Sequence, residues 1–255
     1  MAADDLGVDL DDDHVGVIEI RRPPNNFFDQ ALIAAIADAL DELAAGDCRA
    51  VVLASAGKHF CAGADFQREA RATTGSGDRH LYDEARRLFE QPLPIVAAVQ
   101  GAAIGGGLGL ALAADLRVAA PEARFAANFA RLGFHHGFGL TVTLPLVVGH
   151  QAALDLLYTG RRVDGERASA LGLCDRLVPA GQLRDEARSW AAEIAASGPL
   201  AVRSIRATMR GPLVAQIRAA TDHEKAEQGR LQATDDWREG VRAVAERRPA
   251  TFTGH

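Results

Sequence analysis

Three consecutive glycines, Gly105-Gly106-Gly107, constrain this chain more than any other feature. They lie within the stretch Gly101–Asp115, between an apolar run, Pro94-Ile95-Val96-Ala97-Ala98-Val99, and a small-residue pattern, Leu108-Gly109-Leu110-Ala111-Leu112-Ala113-Ala114. The first run has the length and composition of a buried strand, the second those of a close-packed helix. Together they predict a strand, a tight glycine turn and a helix N-terminus. The first N–H groups of such a helix have no partner within it, and the helix dipole adds partial positive charge there. Glycine lets a ligand approach the backbone with no Cβ in the way. The turn is suited to hold a negative oxygen.

The surrounding pattern is α/β. Val15–Ile20 reads as a strand, and Arg21-Arg22-Pro23-Pro24-Asn25-Asn26 as a turn. Asp29 offers an N-cap to a helix with Leu32, Ile33, Ile36, Leu40 and Leu43 on one stripe. Arg49–Ser55 is a continuous apolar run, as in a parallel strand covered on both faces. A glycine-punctuated loop, Ala56–Phe66, comes next. It is followed by a polar helical segment from Arg79 to Phe89 and a short strand at Leu116–Ala120. Strand, loop and helix thus alternate, which predicts an α/β fold. Phe125–Gly139 is irregular, and from Leu140 the pattern turns helical. Helices are expected at Gln151–Thr159, Asp164–Leu171, Gln182–Ala196, Pro199–Met209, Leu213–Gln232 and Asp235–Glu246. Pro199 and Pro212 stand at helix starts. The last two helices are amphipathic, as a packing arm or subunit interface would be.

Composition removes several function classes. At 255 residues and 48% hydrophobic, the chain can bury one sizeable core. The net charge of -6 comes from six aspartates within residues 1–13, read as a disordered tail or a solvated edge. The remainder holds 28 acids and 28 bases, so no electrostatic footprint for nucleic acid exists. No uninterrupted apolar run spans a bilayer, and no basic-then-apolar leader opens the chain. Cys48, Cys61 and Cys174 are widely spaced, which predicts reduced thiols in a cytoplasmic protein.

Two glycine turns, Ala62-Gly63-Ala64-Asp65 and Gly105-Gly106-Gly107, each follow a buried strand. Loops at the C-terminal ends of neighbouring parallel strands are where α/β proteins bind ligands. A pair of N–H donors from two such loops makes an oxyanion hole, each donor worth roughly 2.7–4 kcal/mol in a transition state. The alternative, that the glycines serve only close packing, stays open on spacing alone. No P-loop, dinucleotide fingerprint, nucleophile elbow or zinc spacing is present, so no metal site is expected.

The segments carrying these turns resemble the enoyl-CoA hydratase/isomerase (crotonase) superfamily. HFCAGADF at 59–66 is followed, 42 residues after Ala64, by Gly106 of IGGGLGLALAADLRVAA. RRPPNNFFD at 21–29, FARLGFHHGFG at 129–139, LPLVVG at 144–149, LYTGRRVDGERASALGLCDRLVP at 157–179 and the REGVRAVAERRPATFTGH tail fit as well. The resemblance implies a crotonase-like ββα spiral core over residues 14–195. A helical C-terminal region, 196–255, would form trimers or dimers of trimers. The ligand would be a coenzyme A thioester, with CoA entering as part of the substrate and no prosthetic group. Its carbonyl would sit between the N–H groups of Ala64 and Gly106, with Ala62, Asp65, Gly105, Phe129 and Phe134 around it. Lys58 would face a CoA phosphate or simply solvent.

The chain departs from that pattern where acid–base chemistry is expected. Hydratases of the family place one glutamate three residues after the central glycine of the turn, here Gly109. They place a second in the segment aligned with Phe129. The aspartate of the dehalogenases and dienoyl isomerases would fall near Gly137. Each such group contributes about 10²–10⁴-fold, so an efficient standard hydratase is not expected. His136 is the candidate base and His135 the weaker one. Arg131, Tyr82 and Glu84 are further polar candidates. Asp65 is read as a helix cap. Phe125, Phe129, Phe134 and Phe138 point to an apolar acyl pocket. Three readings follow: a lyase or isomerase on acyl-CoA with an atypical site, a catalytically silent acyl-CoA-binding protein, or residual hydration through water held by the hole and His135 or His136.

Overall fold

The computed structural model describes residues 5–64 and 80–255. Its main sheet has six strands in the order β1-β2-β3-β4-β6-β9. These are β1 (Leu6–Leu10), β2 (Val15–Ile20), β3 (Ala50–Ser55), β4 (Ile95–Val99), β6 (Leu116–Ala119) and β9 (Arg176–Leu177). All neighbours pair in parallel except β1, which runs antiparallel to β2 at the edge. Residues 6–10 of the acidic opening segment therefore form a solvated edge strand, and the sheet begins before residue 14.

Alternation along β3 and β4 explains their unbroken apolar sequences. Val51, Leu53, Ile95 and Ala97 face one core, and Val52, Ala54, Val96 and Ala98 face a second. The first core is covered by α1 (Gln30–Ala45), whose Leu32, Ile33, Ile36, Leu40 and Leu43 are buried. Asp29 caps that helix, its carboxylate accepting from the Leu32 N–H at 2.9 Å. The second core is covered by Leu183, Ala187, Ala191 and Ala195 of α7 (Leu183–Ala195). A strand buried on both faces has no polar side to show in sequence.

The site-bearing elements stand beside this sheet. After β3 the backbone passes through the loop of residues 56–64. The helix α2 (Leu81–Glu90) precedes β4. A second sheet, order β5-β7-β8, is built from β5 (Ala102–Ile104), β7 (Arg124–Ala126) and β8 (Val163–Asp164). These strands have two or three residues each, too few for a period-2 signal in sequence. The organising helix, α3, spans Gly106–Ala113 and is buried throughout. A 3-10 turn at Asn128–Leu132 then leads to α4 (Leu140–Val148), α5 (His150–Thr159) and α6 (Gly165–Ala170).

The C-terminal region corrects one expectation. Pro199–Met209 and Leu213–Gln232 are not two helices but one, α8 (Pro199–Gln232), with Pro212 inside it. Proline removes one intrahelical hydrogen bond and crowds the preceding turn. Anchors on both sides outweigh that cost. Arg206 and Arg210 bind the Asp115 carboxylate at 3.0 and 2.7 Å before the proline. Ile217, Thr221 and Glu224 are buried after it. The final helix, α9 (Asp235–Ala245), is capped by Thr234. All three cysteines are free and buried. No helix among the described residues is long and apolar enough to cross a membrane.

Candidate active site

Backbone hydrogen bonds lace the first glycine turn to the second. Cys61 N–H donates to the Ala102 carbonyl at 2.8 Å, and Ile104 N–H returns to the Cys61 carbonyl at 3.0 Å. Ala62 N–H donates to Asn25, and the Gly63 carbonyl accepts from Phe28 N–H. His59 Nδ1 accepts from Ala102 N–H at 3.2 Å. Burial, then Lys58, holds its pKa below the ordinary value, which keeps that nitrogen an acceptor. Gly63 and Gly105 adopt φ of 115° and 58°, where a side chain would be strained.

Gly107 sets the distance between the turns. A Cβ there would lie 2.1 Å from the Cys61 carbonyl oxygen, so α3 can start against the loop only with glycine at this position. Phe28 fits under both turns: it bridges to Ala64, and its ring lies 2.4 Å from where a Gly106 Cβ would be. Among the described residues, neither the Ala64 N–H nor the Gly106 N–H has a hydrogen-bond partner.

Ala64 and Gly106 line a cavity of about 860 Å³, together with Ala62, Gly63 and Gly105. Phe28, Phe129, Phe134 and Phe138 supply its apolar walls, while Phe125 is buried in the core. Asn128, His80, Tyr82 and the α8 side chains Lys225, Gln228 and Gln232 supply polar groups, and Val241 and Val244 of α9 add further apolar wall. No carboxylate lines the cavity among the described residues, and none of their His, Cys, Asp or Glu clusters could hold a metal ion.

The places where the family resemblance would put carboxylates are filled otherwise. A Cβ on Gly109 would meet Phe138 Cβ at 2.5 Å and its ring at 2.8 Å. A Cβ on Gly137 would lie 1.9 Å from the Tyr82 hydroxyl and 2.5 Å from Gln228 Nε2. Phe129 is buried against Phe134, ring centroids 6.0 Å apart.

Several expected residues are not brought to the cavity. His136 and His135 stack on each other at 4.1 Å outside its lining. The Thr141 hydroxyl donates to Glu224 Oε1, so His136 Nε2, 2.9 Å from Thr141 Oγ1, is the donor to it. The Glu224 carboxylate also accepts the Gly139 and Thr141 N–H groups at 2.9 and 3.0 Å, capping the N-terminus of α4. Burial raises the Glu224 pKa. Burial, then His135 and His223, pulls His136 down to about 4. His136 is therefore part of the scaffold under α4. Lys58 is exposed on its loop, Arg131 Nε binds the Thr159 carbonyl at 2.7 Å, and Glu84 pairs with Arg87 at 2.7 Å. Asp65 lies outside the described residues.

Of the polar lining residues, Tyr82 was visible in sequence as a candidate. Gln228 and Asn128 were not. Lys225, Gln228 and Gln232 form an i, i+3, i+7 stripe on α8 that reads in sequence like any solvated helix face.

A parallel-sheet core with two glycine turns laced together beside a largely apolar cavity defines an α/β protein with a ligand-sized site. Comparison with known proteins places it more narrowly. Residues 11–255 match the family model for enoyl-CoA hydratase/isomerase. A Thermus thermophilus relative, provisionally named an enoyl-CoA hydratase, is 37% identical over 262 residues, covering 96% of this chain and 100% of its own. The crystal structure of an enoyl-CoA hydratase/isomerase from Pseudoalteromonas atlantica superposes with a TM-score of 0.91 at 31% identity, covering 98% of this chain and 100% of that one. That of carnitinyl-CoA hydratase from Mycobacterium avium gives 0.91 at 28% identity over the whole of both. The chain belongs to the enoyl-CoA hydratase/isomerase family and has its crotonase fold.

Proposed function

We propose that this chain acts on acyl-CoA thioesters by holding the thioester carbonyl oxygen between the Ala64 and Gly106 N–H groups. The observation that carries this reading is that Ala64 and Gly106, on two turns laced together and with no N–H partner among the described residues, line one cavity. Charge that develops on the oxygen, as an enolate or a tetrahedral oxyanion, is stabilised there by roughly 2.7–4 kcal/mol per donor. CoA enters as part of the substrate, no resident cofactor is required, and the acyl group lies against Phe129 and Phe134. Lys58 is available to a CoA phosphate from outside the cavity.

The reaction is not hydration by a glutamate pair. Gly109 and Phe129 stand where the two acids would be, and Phe138 closes the space over Gly109. Isomerisation, thioester hydrolysis and C–C cleavage all use the same oxyanion stabilisation. A second reading, a silent acyl-CoA-binding protein, is supported by the absence of carboxylates from the described lining. Incubation with enoyl-, dienoyl- and 3-oxoacyl-CoA thioesters, read by product mass, separates the two. Product from any member that disappears in Ala64→Pro supports the enzyme. Tight binding with no product supports the silent protein, and no binding at all contradicts both.

The exposed apolar side chains Leu200, Ile205 and Met209 on α8 support assembly into homotrimers or dimers of trimers. A monomer mass by light scattering would contradict that assembly.

A further inference from the structure

We propose that the Tyr82–Gln228 pair is a subsite for an uncharged oxygen on the acyl group, so that the preferred thioesters carry a hydroxyl or oxo substituent. This rests on the acyl-CoA reading above. Three separate elements converge on the pair. Tyr82 comes from α2, Gln228 from α8, and Gly137 from the turn before α4 leaves the space they fill. The Tyr82 hydroxyl donates to Gln228 Oε1 at 2.6 Å, and Gln228 Nε2 donates to the His135 carbonyl at 3.0 Å. That carbonyl can only accept, which fixes which end of the amide is nitrogen.

An amide nitrogen carries two hydrogens. The second N–H of Gln228 has no partner among the described residues, and the side chain lines the cavity. It offers one uncharged donor beside Phe129, Phe134 and Phe138, in a lining that also holds His80, Asn128 and Lys225. A plain hydrocarbon chain would strip water from this N–H and return nothing, at a cost comparable to a lost hydrogen bond. An acceptor oxygen on the acyl group restores it. The pair itself carries no charge to meet a carboxylate, so a hydroxyl or oxo group is its match, and adipoyl-CoA tests whether Lys225, which also lines the cavity, draws a carboxylate instead.

The test is a set of dissociation constants for hexanoyl-CoA, a hydroxyhexanoyl-CoA and oxohexanoyl-CoA series, and adipoyl-CoA. They are measured by calorimetry on the wild-type protein, Gln228→Leu and Tyr82→Phe. At least one oxygenated thioester should bind wild type about tenfold more tightly than hexanoyl-CoA, and Gln228→Leu should bring that ratio near one. Tyr82→Phe, which frees the amide to turn, should reduce the ratio as well. Equal affinities in wild type, a preference that survives both substitutions, or tightest binding of adipoyl-CoA would each overturn the subsite. Absence of binding by every thioester would overturn the acyl-CoA reading beneath it.

Discussion

Gly107 and Cys61 meet backbone to backbone, with the position of a Gly107 Cβ only 2.1 Å from the Cys61 carbonyl oxygen. This approach sets the start of α3 against the loop that carries Ala64. Gly107→Ala must push the two turns apart, because the obstructing atom is main chain and cannot rotate away. A loss of about 1–3 kcal/mol is expected, read by urea denaturation, together with weaker thioester binding in the folded fraction. Unchanged stability and binding would show that the turns are not held by this contact.

Gly109→Glu tests whether the missing hydratase acid can simply be restored. The new side chain must displace Phe138, whose Cβ and ring occupy the space. The variant is expected to lose about 1–3 kcal/mol and to gain no addition of water to crotonyl-CoA, followed by product mass. Efficient hydration by this single variant would show that the cavity retains the rest of a hydratase site.

Much of the fold was legible in the chain, and the reasons are physical. β3 and β4 are covered on both faces, so their sequences are unbroken apolar runs. The turns at Gly63 and Gly105–Gly107 need conformations or approaches that only glycine allows, so glycine marks them. Of the candidate site, the two glycine turns were legible and the polar side chains of the cavity lining mostly were not. Gln228 lies 122 residues from Gly106 in the chain, and a glutamine on a helix face carries no sign of what that face meets. His136 looked like a base because local sequence cannot show Thr141 and Glu224 closing around it. Pro212 looked like a helix start because its local cost is visible in sequence and the anchors at Arg206 and Ile217 are not.

The pH dependence of stability should report His136. In the fold its pKa is about 4 against an ordinary 6.5, so the folded state binds this proton less readily than the unfolded chain. The stability it contributes is complete above pH 6.5 and is lost as pH falls toward 4. Glu224, its pKa raised, acts in the opposite sense and loses stability as pH climbs past the carboxylate range. Comparison with His136→Asn isolates the histidine. Wild type should lose about 3 kcal/mol more than the variant between neutral pH and the acid end of that window. The same variant should lose far less turnover than the about 10²–10⁴-fold that removal of a general base costs. Parallel pH profiles, or loss of turnover on that scale, would return His136 to the chemistry.

Gly211 and Pro212 are exposed within α8, and a Cβ on Gly211 would meet nothing within 4 Å. Gly211→Ala should therefore stabilise by about 0.5–1 kcal/mol, seen as a higher urea midpoint with unchanged slope. Pro212→Ala should add to this by restoring an intrahelical hydrogen bond. A lower midpoint in either variant would mean that Gly211 and Pro212 are needed for how α8 lies against its neighbours.

The carbonyl stretch of a bound thioester reads the two amides at 64 and 106 directly. Hexanoyl-CoA labelled with ¹³C at the thioester carbon, bound to the protein and followed by isotope-edited infrared difference spectroscopy, should show its band shifted to lower frequency than in water. Ala64→Pro, which removes one donor, should shift it part of the way back. A bound-state band at the solution frequency, unmoved by that substitution, would contradict an oxyanion hole made by Ala64 and Gly106.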